Sequence, residues 1–255
     1  LDKYLVTCFD YLVAISSDIK RELEEIGIPD TKVEYLPNGV NTMRYKPLTE
    51  QEKYILKEKL SIKNKYVLTY IGGITYRKGI NTLVRHWPKI IDNYPESLLV
   101  LVGPTGTEDG VMGDDICYDE LMKMIDKYQM DKNIITTGPK DRVEEYLQIS
   151  DLFVFPSTME GMPNVVLEAM ATGVPAISYR VSGINDIIRS GIDGEIIEIG
   201  DEKAFNNAIL ELLADDLKRK RYSQNAFDNV VEHFNMILIA NGYEELYNKM
   251  VALND

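Results

Sequence analysis

The sequence predicts an α/β fold, a Rossmann-like, doubly wound parallel sheet, and three observations carry that expectation. From residue 65 onward, short apolar runs alternate with longer stretches whose apolar residues recur at helical spacing. The short runs lack polar alternation, so both faces of each strand are buried, as in a parallel sheet covered by helices on both sides. No Gly/Ser-rich linker interrupts the pattern, and no free-standing second domain is expected.

The elements before residue 65 come first. Tyr11–Ile15 reads as a strand, and Ser16, Ser17 and Asp18 offer N-caps to a charged helix running through Glu25. Lys32–Leu36 is a second strand, followed by the turn signal Pro37-Asn38-Gly39-Val40. Thr49 to Leu60 is a Lys/Glu-rich helix ending before Ser61. Six core strands follow: Tyr66–Ile71, Leu98–Val102, Ile134–Thr137, Leu152–Phe155, Pro175–Ser178 and Glu195–Ile199. After the first, Ile80, Leu83, Val84, Trp87, Ile90 and Ile91 share one helical face; after the last, Ala204, Phe205, Ala208, Ile209, Leu212 and Leu213 do the same. A final helix, about Phe234 to Met250, aligns Met236, Ala240, Tyr243, Tyr247 and Met250, to pack on its own sheet or on a surface outside this chain.

Composition narrows the function classes. A chain of 255 residues with 45% hydrophobic residues is one large domain, or one domain with an appendage. With 28 basic against 41 acidic residues its net charge is −13, which argues against nucleic acid as a partner while leaving room for a local basic pocket. Only Cys8 and Cys117 occur, without CxxC or metal-finger spacing, which fits a reducing compartment. His86 and His233 are far apart, and His86, among Val84, Arg85 and Trp87, reads as a packing or surface residue. Tyr4–Ile15 is interrupted by Asp10, too short to span a bilayer, and without secretion-signal features. The expected location is the cytoplasm or a cytosolic membrane face. Opening at Leu1, the chain reads as a piece of a longer protein.

In a doubly wound sheet the ligand crevice lies at the carboxyl ends of the strands, where strand order reverses. Two loops there carry chemistry. Gly72-Gly73-Ile74-Thr75-Tyr76-Arg77-Lys78-Gly79 combines glycines that allow close backbone approach with a cation pair at a helix start, a place to neutralise a pyrophosphate. It matches neither GxGxxG nor GxxxxGK[ST]. The second loop, Phe155 to Pro175, sets Pro163 at a helix start and Gly173 at its stop. The first-turn amides then point a positive dipole at the crevice. Glu160 lies at the mouth, and Glu168 is five residues beyond Pro163, roughly 7.5 Å along a helix. The plain alternatives are a solvated Arg-Lys turn and two helix-end acids. The acidic insertion Thr107–Asp115 reads as a solvated loop with no metal site.

Glu160-x7-Glu168, framed by Pro156-Ser157 and by Ala169-Met-Ala-x-Gly173-x-Pro175, resembles the signature of retaining GT-B glycosyltransferases of family GT4. Val13–Ser16, Leu36–Val40, Gly72 with Lys78-Gly79, Leu101–Gly103, Asp151–Ser157 and Ser182–Ile184 fall in family order. The resemblance implies a GT-B type C-terminal half that binds a UDP- or GDP-sugar donor and transfers the sugar to a sugar or lipid-linked acceptor in envelope polysaccharide or glycolipid synthesis. It places Lys78 on the donor diphosphate, Glu160 on the transferred sugar and Glu168 on the ribose. It also implies donor contacts around Gly72, Gly73, Arg77, Gly103, Gly161, Met162, Pro163 and Asn164. Retention by internal return requires neither a protein nucleophile nor a metal, and no cofactor is expected.

On this resemblance, residues 1–45 are the remnant and crossover of an N-terminal acceptor domain. Residues 46–232 are the nucleotide-sugar domain, and 233–255 a helix crossing back. The missing domain or a partner chain would complete the cleft and supply any peripheral membrane contact. One departure stands out: the family usually has Arg where this chain has Gly73, a loss of roughly 1.5–3 kcal/mol for a charged hydrogen bond. Arg77 adjoins Lys78, but helix neighbours point about 100° apart, which argues against substitution. The alternatives are therefore a non-catalytic or split-subunit nucleotide-sugar-binding module, or a GT-B nucleotide-sugar epimerase.

Overall fold

The computed structural model of the chain describes residues 6–106 and 113–252. Its N-terminal part is a small unit of β1 (Leu12–Ala14), α1 (Ser17–Glu25) and β2 (Val33–Tyr35), the two strands paired parallel. The hydroxyl of Ser16 accepts from the Ile19 amide and so starts α1. Leu23 packs with Val6, Ala14, Ile28 and Val33 in a satellite core of its own. The helix α2 (Glu50–Lys59) opens on a capping box in which Thr49 and Glu52 satisfy each other's amides.

The main body continues through β3 (Tyr66–Ile71), α3 (Ile80–Asn93), β4 (Ser97–Val102), α4 (Asp115–Lys127), β5 (Ile134–Thr136), α5 (Val143–Gln148), β6 (Leu152–Phe155) and α6 (Asn164–Ala171). It ends with β7 (Ala176–Tyr179), α7 (Ile184–Ile187), β8 (Gly194–Ile197), α8 (Glu202–Ala214), α9 (Asp216–His233) and α10 (Met236–Ala252). The six core strands form one parallel sheet in the order β5-β4-β3-β6-β7-β8. The chain winds outward from β3 to β5, then returns to lay β6 on the other side of β3. Strand order therefore reverses between β3 and β6, which fixes the position of the crevice. Every residue of β4 and β6 is buried, as strands covered on both faces require. Trp87 of α3 is fully buried in the same core, as the helical spacing predicts.

Three expectations are corrected. Residues 107–112 of the supposed insertion lie outside the described residues, but Asp114 and Asp115 do not form a solvated loop. Asp114 caps α4, its carboxylate accepting from the Cys117 amide at 3.1 Å, and Asp115 begins the helix. Helix α9 has no counterpart in the sequence reading, because its Lys/Arg-rich surface hides a narrow buried stripe of Tyr222, Ala226, Asn229 and Val230. Of the two packings left open for α10, burial of its stripe on this sheet is set aside: Leu246 is buried, whereas Met236 and Tyr247 of the stripe are exposed. The reason is the crossover strand, which α10 meets backbone to backbone. Val40 N–H donates to Phe234 at 2.8 Å, and Met236 N–H donates back to Val40 at 3.0 Å. Further along α10, Lys249 reaches Glu34 at 3.6 Å.

Candidate active site at the strand-order switch

The loops after β3 and β6 flank the switch point and clasp one another. Both the amide and the hydroxyl of Thr158 donate to the Arg77 carbonyl at 3.0 Å. Gly79, with φ of 72°, ends the 3₁₀ turn Tyr76–Lys78 and starts α3. A Cβ there would lie 2.1 Å from the Pro156 carbonyl oxygen, so only glycine lets the two loops approach this closely. Gly103 plays the same part behind them: its φ is 144°, and a Cβ would come within 2.2 Å of the Gly72 carbonyl. Below the first loop the phenol of Tyr70, fully buried and with its pKa raised by that burial, donates to the Gly73 carbonyl at 2.9 Å.

Between the loops opens a cavity of about 980 Å³. Gly72, Gly73, Arg77 and Lys78 line one side, and Glu160, Met162, Pro163 and Asn164 the other. At its centre Lys78 Nζ lies 2.6 Å from Glu160 Oε1, and Ser157 Oγ donates to the same oxygen at 2.6 Å. Arg77 Nη1 stands 3.5 Å from that oxygen and donates to the Met159 carbonyl at 2.5 Å. The two cations nevertheless converge, because the long arginine wraps over the β6 loop to the Met159 carbonyl and so returns toward Glu160. Lys78 also sits over the Phe155 ring, 5.4 Å from its centroid, which holds the ammonium against an apolar floor.

Helix α6 starts one residue later than predicted, with Pro163 as its N-cap and Asn164 as its first residue. Asn164 and Val165 of its first turn line the same cavity as Lys78, and the start of a helix favours negative charge there. Gly173, at φ 73°, follows its C-terminal end.

Gly103, Gly161 and Glu168 do not line this cavity. Glu168 lies further along α6 toward the crossover, where Tyr45 hydrogen-bonds it and Arg44 lies near. Burial raises its pKa above the usual carboxylate range; the Tyr45 bond and Arg44 offset that only in part. Burial and the neighbouring Glu168 together push the Tyr45 phenol up to about 12. Arg44 itself clamps α5: its guanidinium donates to Glu144 Oε2 at 2.9 Å and to the Asp141 carbonyl at 2.7 Å. Burial works against Glu144 ionisation, yet Arg44 holds that carboxyl below its ordinary range.

Sequence reasoning missed Arg44 and Tyr45, which sit in the crossover rather than on a core loop, and the cavity-wall group Tyr76, Asp114 and Ile116. It also treated Ser157 as a motif frame only. Donation of its hydroxyl to the Glu120 carboxylate draws the Tyr76 phenol up to about 12, and Ile116 is exposed at the rim. His86 pairs with Glu202 between α3 and α8, away from the cavity. Among the described residues no cluster of three His, Cys, Asp or Glu side chains is arranged to hold a metal ion, and no helix is long and apolar enough to cross a membrane.

A doubly wound parallel sheet whose switch-point loops present a lysine, a carboxylate and a helix start to one cavity defines the class of an α/β ligand-binding domain. The chain belongs to the group 1 glycosyl transferases, whose family model matches residues 52–229. It is 30% identical over 257 aligned positions to the UDP-Gal:alpha-D-GlcNAc-diphosphoundecaprenol alpha-1,3-galactosyltransferase of Escherichia coli, covering 99% of this chain and 63% of that protein. Against the N-acetyl-alpha-D-glucosaminyl L-malate synthase of Bacillus anthracis it is 27% identical, covering 93% of this chain and 59% of the relative. The chain thus spans less than two thirds of these relatives' length. Anabaena HepE in complex with UDP superposes with a TM-score of 0.83 at 20% identity, over 94% of this chain and 64% of HepE. Sucrose-phosphate synthase from Thermosynechococcus elongatus gives 0.85 at 23% identity, over 99% and 61%. Both share the GT-B fold of this sheet.

Proposed function

We propose that this chain is the donor-binding half of a retaining glycosyltransferase that moves a sugar from a nucleoside diphosphate to a sugar or lipid-linked acceptor in envelope polysaccharide or glycolipid assembly. The observation that carries the reading is the convergence of Lys78, Glu160 and the start of α6 on one cavity at the strand-order switch. Named relatives act on such substrates: the E. coli protein takes UDP-Gal and a diphosphoundecaprenol-linked sugar, and another relative, from Streptococcus pneumoniae, is an alpha-galactosylglucosyldiacylglycerol synthase.

In this reading the diphosphate lies between Lys78 and the amides of Met162 and Asn164, whose dipole favours negative charge. Glu160 faces the sugar, and Glu168 the ribose. The anomeric carbon–oxygen bond breaks with its electron pair passing to the diphosphate, and Lys78 and the helix dipole stabilise that growing charge. The acceptor hydroxyl attacks from the face the diphosphate leaves, and its proton passes to a departing phosphate oxygen. A leaving group stabilised this way needs no metal or cofactor, so chelation by EDTA is expected to leave turnover unchanged. Residues 1–45 and 233–255 are the crossover toward an acceptor-binding domain that would complete the cleft. Calorimetric titration with UDP, GDP and ADP tests the reading: micromolar-to-millimolar binding of one of them is expected, and no binding of any at millimolar ligand contradicts a donor site.

A further inference from the structure

Ser157 is fully buried beneath the β6 loop. Its hydroxyl donates to the same Glu160 oxygen that Lys78 reaches, each at 2.6 Å. These two donors have different freedom. Lys78 carries its charge on a flexible four-carbon stem at the cavity surface. Ser157 is held by a loop that Thr158 ties to the Arg77 carbonyl at 3.0 Å and that Pro156 presses against Gly79. On the donor-site reading above, on which this inference rests, an arriving diphosphate competes with Glu160 for Lys78. A carboxylate that gives up Lys78 is left with Arg77 at 3.5 Å, about half exposed, and with the Ser157 hydroxyl at 2.6 Å as its nearer donor.

We propose that Ser157 is a positioning residue that keeps the Glu160 carboxylate aimed at the transferred sugar once the diphosphate has drawn Lys78 away. Three features support it. The hydroxyl is short, and its burial leaves it no alternative orientation toward solvent. It is neutral, so the diphosphate does not attract it. It also sits on Glu160's own loop, three residues away, and so moves with it. A charge-assisted hydrogen bond of this kind corresponds to roughly a 10- to 100-fold change in an equilibrium constant. That change is confined to ligands that carry the sugar.

The test compares UDP with UDP-glucose, or GDP with GDP-mannose if the wild type takes guanine nucleotides, by calorimetry on the full chain. The proteins are wild type, Ser157→Ala, Glu160→Gln and the double variant. Ser157→Ala is expected to bind the bare diphosphate within about twofold of wild type and the sugar nucleotide roughly tenfold more weakly. In the Glu160→Gln background the serine substitution is expected to add almost nothing, because both changes remove one unit of function. Undiminished sugar-nucleotide binding by Ser157→Ala overturns the proposal. So does an equal loss for both ligands, which marks a general structural role, or a full additional loss in the double variant. A wild type that binds neither ligand overturns the donor-site reading, and this inference with it; the two failures are therefore distinct.

Discussion

Lys78 Nζ and Glu160 Oε1, 2.6 Å apart and each about five-sixths buried, form an ion pair. The pair joins the cation proposed for the diphosphate to the carboxylate proposed for the sugar. Each group lowers the cost of burying the other. Binding must then exchange one anion for another at Lys78, and that exchange makes each partner's contribution separately measurable.

Replacing Lys78 by Met removes the cation but keeps the apolar stem over Phe155. Diphosphate affinity is expected to fall roughly 10- to 100-fold, the value of one charged hydrogen bond. Arg77, about half exposed and further from Glu160, is expected to matter less; Arg77→Ala should cost about threefold or less. Titration of both variants with the nucleotide that the wild type prefers checks the ranking.

Glu160→Gln should have opposite effects on binding and on chemistry. The variant no longer offers Lys78 a competing negative charge, so bare nucleoside diphosphate is expected to bind about twofold to fivefold more tightly, the range of one partly exposed ion pair. Sugar transfer, measured in a protein that includes the acceptor-binding half, is expected to fall by at least about a hundredfold. Weaker diphosphate binding by the variant would show that Glu160 supports the phosphate site instead of competing for it.

Gly73 stands where the resemblance implies an Arg, and unlike Gly72 it is not among the positive-φ glycines. Its backbone therefore accepts a side chain without left-handed strain. Gly73→Arg is expected to tighten diphosphate binding by roughly tenfold. Unchanged affinity would place the new guanidinium away from the phosphates.

Glu168 gives a pH signature. Burial raises its folded-state pKa above the unfolded value near 4.5, so the folded protein favours the protonated acid. Stability is then lost as pH rises from the unfolded pKa to the raised folded one, and stays lower above it. Glu168→Gln removes that ionisation and is expected to melt higher than wild type at pH 7. The difference should shrink toward zero below about pH 4. Melting curves across that range check the sign.

The breaking of Arg44 from Glu144 is expected to destabilise the crossover. Arg44→Ala leaves a nearly buried carboxylate short of its main donor, a loss of about 1–3 kcal/mol. Glu144's folded pKa lies below its unfolded value, so its contribution holds above the unfolded pKa and disappears as pH falls through the folded one. Urea denaturation of the variant at neutral and acidic pH is expected to show the penalty only at neutral pH.

The six core strands were legible because burial on both faces leaves an unbroken apolar signature, and Tyr66–Ile71 and Leu152–Phe155 were read to the residue. Their order was not written in any one segment, yet the α/β alternation with right-handed crossovers leaves few ways to arrange it. The loop chemistry was visible for a related reason. Gly79, Lys78 and Glu160 sit at positions where a strand end, a turn and a helix start force particular residue types. What stayed hidden depends on contacts distant in sequence. Tyr45 meets Glu168, and Arg44 meets Glu144, across 100 residues or more. The face of α10 is set by a backbone pairing with Val40 that no periodicity reports. The convergence of Arg77 with Lys78 depends on the β6 loop, whose Met159 carbonyl, 82 residues away, holds the guanidinium near Glu160.

The central claim is that the Lys78–Glu160 pair opens to admit a diphosphate, and a crystal structure of the chain soaked with UDP tests it most directly. The expected map shows the diphosphate within hydrogen-bond distance of Lys78 Nζ and the first amides of α6, with Glu160 released from Lys78 but still bonded to Ser157. Density for UDP elsewhere on the surface, or a bound diphosphate beside an unbroken Lys78–Glu160 pair, would contradict the account.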